Sequence, residues 1–306
     1  MRAFIFPGQG SQAVGMGKAL AGASREARDV FEEVDEALGQ KLSRLMSEGP
    51  IEELTLTENA QPAIMANAIA TLWASGIDLN KADFVAGHSL GEYSALCAAK
   101  SLQLPTTARL LKLRGQAMQA AVPVGEGAMA ALLGLGLEAA QEVAAEAAQG
   151  EVCTVANDND PSQVVISGHK AAVERALDIA KVKGAKRALL LPVSAPFHCP
   201  LMQPAADAMQ AALAEAELIA AAVPLYANVT AAPVHDAAEI KRLLVVQVTG
   251  MVRWRESIAA MAAAGVDHFV EFGGKVLTPM VKRIAPDVRT SSVITMDDID
   301  ALVKEV

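Results

Sequence analysis

Val85–Leu96 reads VAGHSLGEYSAL, and the order of its parts decides the fold. An apolar strand runs into a Gly-His-Ser-Leu-Gly corner and then into helix-forming sequence. A turn that only reversed the chain would use Asn, Asp or Pro beside a single glycine. Two glycines flanking Ser89 point instead to tight backbone geometry on both sides of it. A G-x-S-x-G corner between a strand and a helix is a nucleophile elbow, because the strained turn lifts the serine oxygen clear of the backbone. The helix expected from Ser89 brings unpaired amides, among them that of Leu90, to where an oxyanion would form. An ordinary Gly-flanked turn is the plain alternative.

Outward from the corner, strands and helices alternate. "AFIF" (3–6) predicts a short buried strand ended by "PGQGSQ", followed by helical periodicity from about Gly15 to Leu45. A helix is expected over 61–75, with Pro62 in its first turn, then the strand "DFVAG", the elbow helix and a helix over 105–121. Such alternation indicates a parallel, doubly wound α/β sheet. Beyond it the pattern changes to strand 127–135, helix 138–148, strand 151–158, strand 163–168, helix 170–184 and strand 186–193, with "NDNDPSQ" (157–163) read as a turn. That β-α-β-β-α-β order is the ferredoxin-like signature. Residues 125–194 are therefore expected to be an inserted subdomain, and 1–124 with 195–306, including the strand "HFVEF" (268–272), the catalytic domain.

The chain has 306 residues, 52% of them hydrophobic, enough to bury a sizeable core. Its formal charge of −9 and aromatic content of 4% argue against a nucleic-acid partner, which needs basic patches and stacking rings. Cys97, Cys153 and Cys199 are widely spaced, so neither a disulfide framework nor a metal site is indicated and a cytoplasmic setting is expected. No signal peptide or membrane span is read.

A serine nucleophile needs a base. Of the five histidines, His88 adjoins Ser89 but points to the other side of the bend, His169 lies inside the inserted unit, His235 lies in a polar loop and His268 begins a strand. His198, in "LPVSAPFHCPLM", stands where the chain re-enters the large unit across the cleft; it is the candidate base, with a structural donor as the alternative. In "PTTARLLKLRGQAMQAA", Leu110, Leu111, Leu113, Ala117 and Met118 define an apolar stripe, and Arg114 falls inside it. A buried guanidinium needs either a core carboxylate or an anionic ligand. "PGQGSQ" lacks the spacing of a nucleotide loop and suits a second oxyanion amide. Cys199 has no evident activating group.

Together "FIFPGQGSQ", "GHSLGEYSAL", "LRGQAMQ", "GAMAALLG", "VANDNDPSQVVISG", "LPVSAPFHCPLM" and "EFGGKVL" resemble the malonyl-CoA:acyl-carrier-protein transacylases of type II fatty acid synthesis, in order over nearly the whole chain. The resemblance implies an α/β-hydrolase-like large domain with a parallel sheet and an inserted ferredoxin-like small one. It makes Ser89 the nucleophile and His198 the base, places the oxyanion hole at the backbone amides of Gln9 and Leu90, gives the malonyl carboxylate to Arg114, and orients His198 through the backbone carbonyl of Gln247. Phe197 resembles malonyl-preferring members. Three positions depart from the pattern: Gly273-Gly274-Lys275 for the usual Gly-Pro-Gly-Lys loop, Lys100 for a glycine and Cys199 for a serine.

The implied partners are malonyl-CoA and acyl carrier protein, with no metal or other cofactor, no nucleic acid and no membrane, and the expected state is a monomer. Carrier docking on an acidic enzyme needs a local basic patch; "KVKGAKR" (181–187) and Lys282 with Arg283 are the candidates. A transacylase serving polyketide or malonate-decarboxylase metabolism shares these features. A serine esterase would want an acid between serine and histidine and often an HGG motif, and a carrier-binding protein without catalysis would form no acyl-enzyme.

Overall fold

The computed structural model describes residues 1–306. Its strands are β1 (Arg2–Phe6), β2 (Phe84–Gly87), β3 (Gly127–Leu133), β4 (Cys153–Asp160), β5 (Gln163–His169), β6 (Arg187–Leu190), β7 (Leu225–Ala227), β8 (Ala232–Val234), β9 (His268–Phe272) and β10 (Arg289–Val293). They form two sheets. The larger has the order β10-β9-β1-β2-β7-β8, parallel throughout except for the antiparallel β7/β8 pair. The chain is thus an α/β protein whose main sheet is mixed and mostly parallel.

Central strands covered on both faces read as continuous apolar runs rather than alternating ones. β1 shows why: Phe4 and Phe6 point into one core, where Phe4 meets Phe272 edge-on at 5.0 Å. Ala3 and Ile5 point into another core, with Trp254 and Phe269. Period-two alternation divides one strand between two layers. On the first side the helix Thr57–Ser75 is buried on nearly every face.

The smaller sheet, β4-β5-β3-β6, is antiparallel throughout. One face buries Ala130, Leu132, Val164 and Ile166 beneath the helices Leu137–Ala148 and Lys170–Val182. The other face, with Met129, Ala131 and Val165, joins the large core. This sheet roofs the carboxyl ends of β1 and β2.

Several expectations are corrected. The helical region near the N-terminus is broken into Lys18–Ala23, Arg25–Leu38 and Leu42–Glu48, interrupted by the Ser24 cap and a left-handed Gly39. The next helix begins at Thr57, so Pro62 lies inside it and removes the amide that would meet the Glu58 carbonyl. The elbow helix spans Gly91–Ala98, two residues later than expected. Leu113 is 36% exposed and leaves the apolar stripe. The last strand of the small sheet covers only 187–190.

"NDND" is not a turn. Asn157–Asp160 continue β4, with two register shifts against β5. These turn-forming residues sit in a strand because each finds a partner across the seam between the sheets. Asp158 N–H donates to the Val252 carbonyl and Val252 N–H to that of Ala156. Asp158 pairs with Arg255 at 2.9 Å, and Asp160 with Arg283 at 2.7 Å. No helix is long and apolar enough to cross a membrane.

Candidate active site

Steric crowding answers the question posed by the two glycines. A Cβ on Gly87 would lie 1.8 Å from the Gly91 carbonyl oxygen, and one on Gly91 would lie 2.3 Å from that of Phe6. Only glycine lets the strand, the turn and the helix pass this close. Ser89 itself adopts φ 54°, in the left-handed region, a strained conformation for a side-chain-bearing residue. Asn228 holds it there by accepting Ser89 N–H on Oδ1 at 2.9 Å while donating from Nδ2 to the Gly87 carbonyl at 2.8 Å.

Ser89 Oγ lies 2.7 Å from His198 Nε2, and His198 Nδ1 lies 2.9 Å from the Gln247 carbonyl. A carbonyl can only accept, so Nδ1 carries the ring proton. Nε2 is then the free lone pair that accepts from the serine hydroxyl. Burial first, and then the charge of Arg114, push the imidazole down to about 3, so it is neutral and able to take a proton at neutral pH. His198 also has a positive φ, 55°, where the chain re-enters between the two sheets.

Arg114 is 1% exposed. Its Nη1 donates to Gln61 Oε1 at 2.8 Å, and its Nη2 donates to Gln247 Oε1 at 2.9 Å and to Ser89 Oγ at 3.1 Å. Its Cζ sits 5.8 Å from the centre of the Tyr93 ring, and its Nε has no partner. No carboxylate touches this guanidinium: its partners are two neutral amides and a hydroxyl. Gly115 brings its helix close enough for these contacts, since a Cβ there would lie 2.6 Å from Glu58 Cα.

The amides of Gln9 and Leu90 donate to no acceptor in the chain, whereas that of Ser89 is bound by Asn228. Both residues line a cavity of about 370 Å³ together with Gln61, Ser89, Arg114, Phe197 and His198. Met129, Val165, Asn157 and Asn159 of the small sheet close it from above. The six site residues read from the sequence therefore converge: five line the cavity, and Gln247 stands behind His198.

Three other histidines are occupied elsewhere, and His235 is exposed. His88 is buried on Asn159 at 2.8 Å with its ring against Trp254, and His169 accepts the Val152 amide. His268 lies between Arg2 and Ser291. Cys199 is buried, donates to the Pro196 carbonyl, and burial pushes its thiol up, so it supplies no thiolate. Lys100 adopts φ 59°, which accounts for glycine being the usual residue there. Gly273 has φ 79°, and a Cβ on it would lie 2.6 Å from Ala68 Cα.

Four polar groups escaped the sequence reading: Gln61, Asn228, Glu92 and the side chain of Gln247. One signal was present. Glu92, three residues after Ser89, is a charge among the apolar and small residues that open the elbow helix. In the structure it is 1% exposed and accepts from Asn228 N–H and from Gln247 Nε2 at 2.6 Å.

Comparison with known proteins agrees with this geometry. Residues 3–281 match the family described as acyl transferase domain. The malonyl CoA-acyl carrier protein transacylase of Bacillus subtilis is 46% identical over 307 residues, covering 99% of this chain and 96% of that protein. The acyl-carrier-protein-S-malonyltransferase of Bartonella henselae superposes with a TM-score of 0.97 at 53% identity, covering 99% and 98% of the two chains. A malonyl-transacylase solved in complex with a type II PKS acyl-carrier protein superposes with a TM-score of 0.96 at 40% identity, covering 100% and 99%. With its elbow serine, paired histidine and whole-length relatives, the chain belongs to the acyl transferase family, among its malonyl CoA-acyl carrier protein transacylases.

Proposed function

We propose that this enzyme moves the malonyl group from malonyl-CoA to the phosphopantetheine thiol of acyl carrier protein through a malonyl-serine intermediate, in fatty acid biosynthesis. Ser89 is the nucleophile and His198 the base. As Ser89 Oγ attacks the thioester carbon, its proton passes to His198 Nε2, and the Gln247 carbonyl supports the imidazolium from the other side. The unbound amides of Gln9 and Leu90 receive the oxyanion. The carbon–sulfur bond then breaks, and the departing coenzyme A thiolate takes the proton from His198. In the second half-reaction the carrier's thiol gives its proton to His198 and attacks the acyl carbon; the bond from that carbon to Ser89 Oγ then breaks, and Oγ takes the proton back from His198. These steps call on no metal or redox cofactor.

One observation carries the substrate assignment: Arg114 is a fully buried cation, 3.1 Å from the nucleophile, with only neutral partners. The carboxylate of a malonyl group on Ser89 would meet it through two parallel hydrogen bonds, and Phe197 lines the same cavity. For carrier docking we favour Lys186 and Arg187 of the 181–187 stretch. Lys183 is engaged by Glu142 and Glu146, Arg283 by Asp160, and Lys282 by the Pro286 and Val288 carbonyls.

The architecture supports reading 125–194 as an inserted ferredoxin-like subdomain in an α/β-hydrolase-like domain formed by 1–124 and 195–306. The small sheet places its outer strands on either side of β5 and β3 and has its own core. A cytoplasmic setting fits three free, buried cysteines.

The test is intact mass after mixing with malonyl-CoA. A stable malonyl adduct on wild type, missing from Ser89→Ala and retained by Cys97→Ala, Cys153→Ala and Cys199→Ala, is the expected result. Rapid release of free malonate would make the enzyme a hydrolase, and an adduct on Ser89→Ala would move the nucleophile elsewhere.

A further inference from the structure

We propose that Glu92 is a positioning residue for malonyl transfer: it fixes which way the Gln247 side-chain amide points, and through that amide it aims Arg114 and holds the Ser89 turn. The proposal rests on the reading of Arg114 as the binder of the substrate carboxylate.

An amide side chain is nearly symmetric in shape, so its orientation is decided by the donors and acceptors around it. Gln247 stands among four groups. Two accept from it, Glu92 Oε2 and the Ser89 carbonyl, which take Nε2–H at 2.6 and 2.9 Å. One is a pure donor, Arg114 Nη2, which gives to Oε1 at 2.9 Å. The fourth, Asn228 Oδ1, accepts at 3.3 Å. Burial raises the Glu92 carboxyl to about 8, but both of its oxygens face N–H donors and act as acceptors, so the NH₂ end of Gln247 faces Glu92 and Ser89 and its oxygen is left to face Arg114.

The second oxygen of Glu92 reaches the other side of the same turn. Oε1 accepts the main-chain N–H of Asn228, whose side chain binds Ser89 N–H and the Gly87 carbonyl. The peptide groups before and after Ser89 are thus each held by a side-chain amide, and Glu92 anchors both residues, Gln247 by its side-chain amide and Asn228 by its main-chain N–H. The strained φ of 54° at Ser89 needs such support to persist.

Glu92 has no structural ion-pair partner to explain its burial, since no Lys, Arg or His nitrogen contacts it. Its nearest cation is Arg114, reached through the Gln247 amide. Carboxylate, amide and guanidinium form one line of matched polarity ending at the nucleophile. Glutamine at position 92 would break it, because its single oxygen cannot serve both Asn228 N–H and Gln247 NH₂. If Gln247 turned over to compensate, its NH₂ would face the Arg114 donor.

The test compares wild type, Glu92→Gln and Arg114→Ala, each normalised to folded protein by circular dichroism, for kcat and KM with malonyl-CoA and acetyl-CoA. Glu92→Gln is expected to lose about 10²-fold in malonyl kcat/KM, the scale of a small misplacement of catalytic groups, with a lower malonyl-to-acetyl ratio. A purely structural Glu92 would lower the melting temperature and leave both the ratio and kcat per folded molecule at wild-type values. That result, seen beside a collapsed ratio in Arg114→Ala, overturns the proposal while sparing the function. An unchanged ratio in Arg114→Ala overturns the reading of Arg114 itself and the proposal with it. Should Glu92→Gln not fold, Gln247→Met keeps the main-chain carbonyl and the side-chain length while removing the amide. It must then show the same lowered ratio, and a wild-type ratio there overturns the proposal.

Discussion

Three arginines in this protein meet buried surroundings, and they are answered in different ways. At the seam between the two sheets, Arg255 and Arg283 are partly exposed, and each reaches a carboxylate with no exposed surface at all, Asp158 and Asp160. In the pocket the arrangement is reversed. Arg114 is the fully buried member, and the chain offers it amides, a hydroxyl and the Tyr93 ring instead of a carboxylate. The seam closes its charges locally, whereas the proposed anion site would leave its cation to be neutralised by the substrate.

The largest expected effect tests that contrast directly. Arg114→Ala should lower malonyl kcat/KM by roughly 10⁴-fold, because a site built around a polar partner discriminates on that scale. Acetyl transfer, which never used the pair, should fall far less. Arg114→Lys should recover only part of the loss, since a point charge cannot make the two-pronged contact. An unchanged malonyl-to-acetyl ratio in folded Arg114→Ala would put Arg114 in the same class as the seam arginines.

The seam should respond in stability rather than in selectivity, and asymmetrically. Arg255→Met strands a wholly buried carboxylate and should cost about 3 kcal/mol, the usual scale for removing one partner of a buried pair. Asp158→Asn leaves Arg255 one-third exposed and free to turn to water, and should cost about 1 kcal/mol. Burial raises the Asp158 carboxyl. A raised folded value means stability falls as pH rises through it, so the Arg255→Met deficit should deepen with pH. Urea midpoints report both losses, and equal losses would contradict the asymmetry.

The two regions also differ in how legible they were in the sequence. The elbow could be read because its constraints are local: two glycines, one serine, and a strand before and a helix after, all within Val85–Leu96. Arg114 could be read because a charge in an apolar stripe is an anomaly of period. The "NDND" segment could not be, because its residues are turn formers by local preference and become strand only through partners about a hundred residues away, Val252, Arg255 and Arg283. Gln247 was half legible. The resemblance supplied its carbonyl, but its side-chain contacts to Arg114, Glu92 and Ser89 are products of tertiary packing.

An unneutralised cation in the pocket has a further consequence, smaller than the loss of Arg114 itself. Burial, and after it Arg114, hold the His198 imidazole down to about 3. The acid limb of malonyl kcat/KM, which reports the free enzyme, should therefore lie well below the ordinary histidine range. At pH 5 the rate should be close to its plateau, where an unperturbed imidazole would cost about 30-fold. In Arg114→Ala the limb should move upward. The stability sign is fixed by the same shift: the folded state binds fewer protons than the unfolded one, so His198's contribution is present above about 6.5 and is lost as pH falls toward 3. An acid limb near 6.5 in wild type would contradict the neutral, buried base.

The smallest effect belongs to cations that are neither buried nor paired. Lys186 and Arg187 make no ion pair within the chain, unlike Lys183 with its two glutamates, and they sit on β6 and the approach to it, at the free edge of the small sheet. Exposed charges contribute little to stability, but on an enzyme of net charge −9 they are a local positive surface that an acidic carrier can find. Reversing both, Lys186→Glu with Arg187→Glu, should leave the melting temperature and acylation by malonyl-CoA unchanged. It should raise KM for the carrier protein several-fold at low salt, on the order of 1 kcal/mol for long-range steering. Raising the ionic strength toward 1 M, where the screening length is about 3 Å, should bring the variant and wild type together. Equal damage to both half-reactions would mean the edge strand has been disturbed, and a salt-independent defect would mean the carrier docks elsewhere.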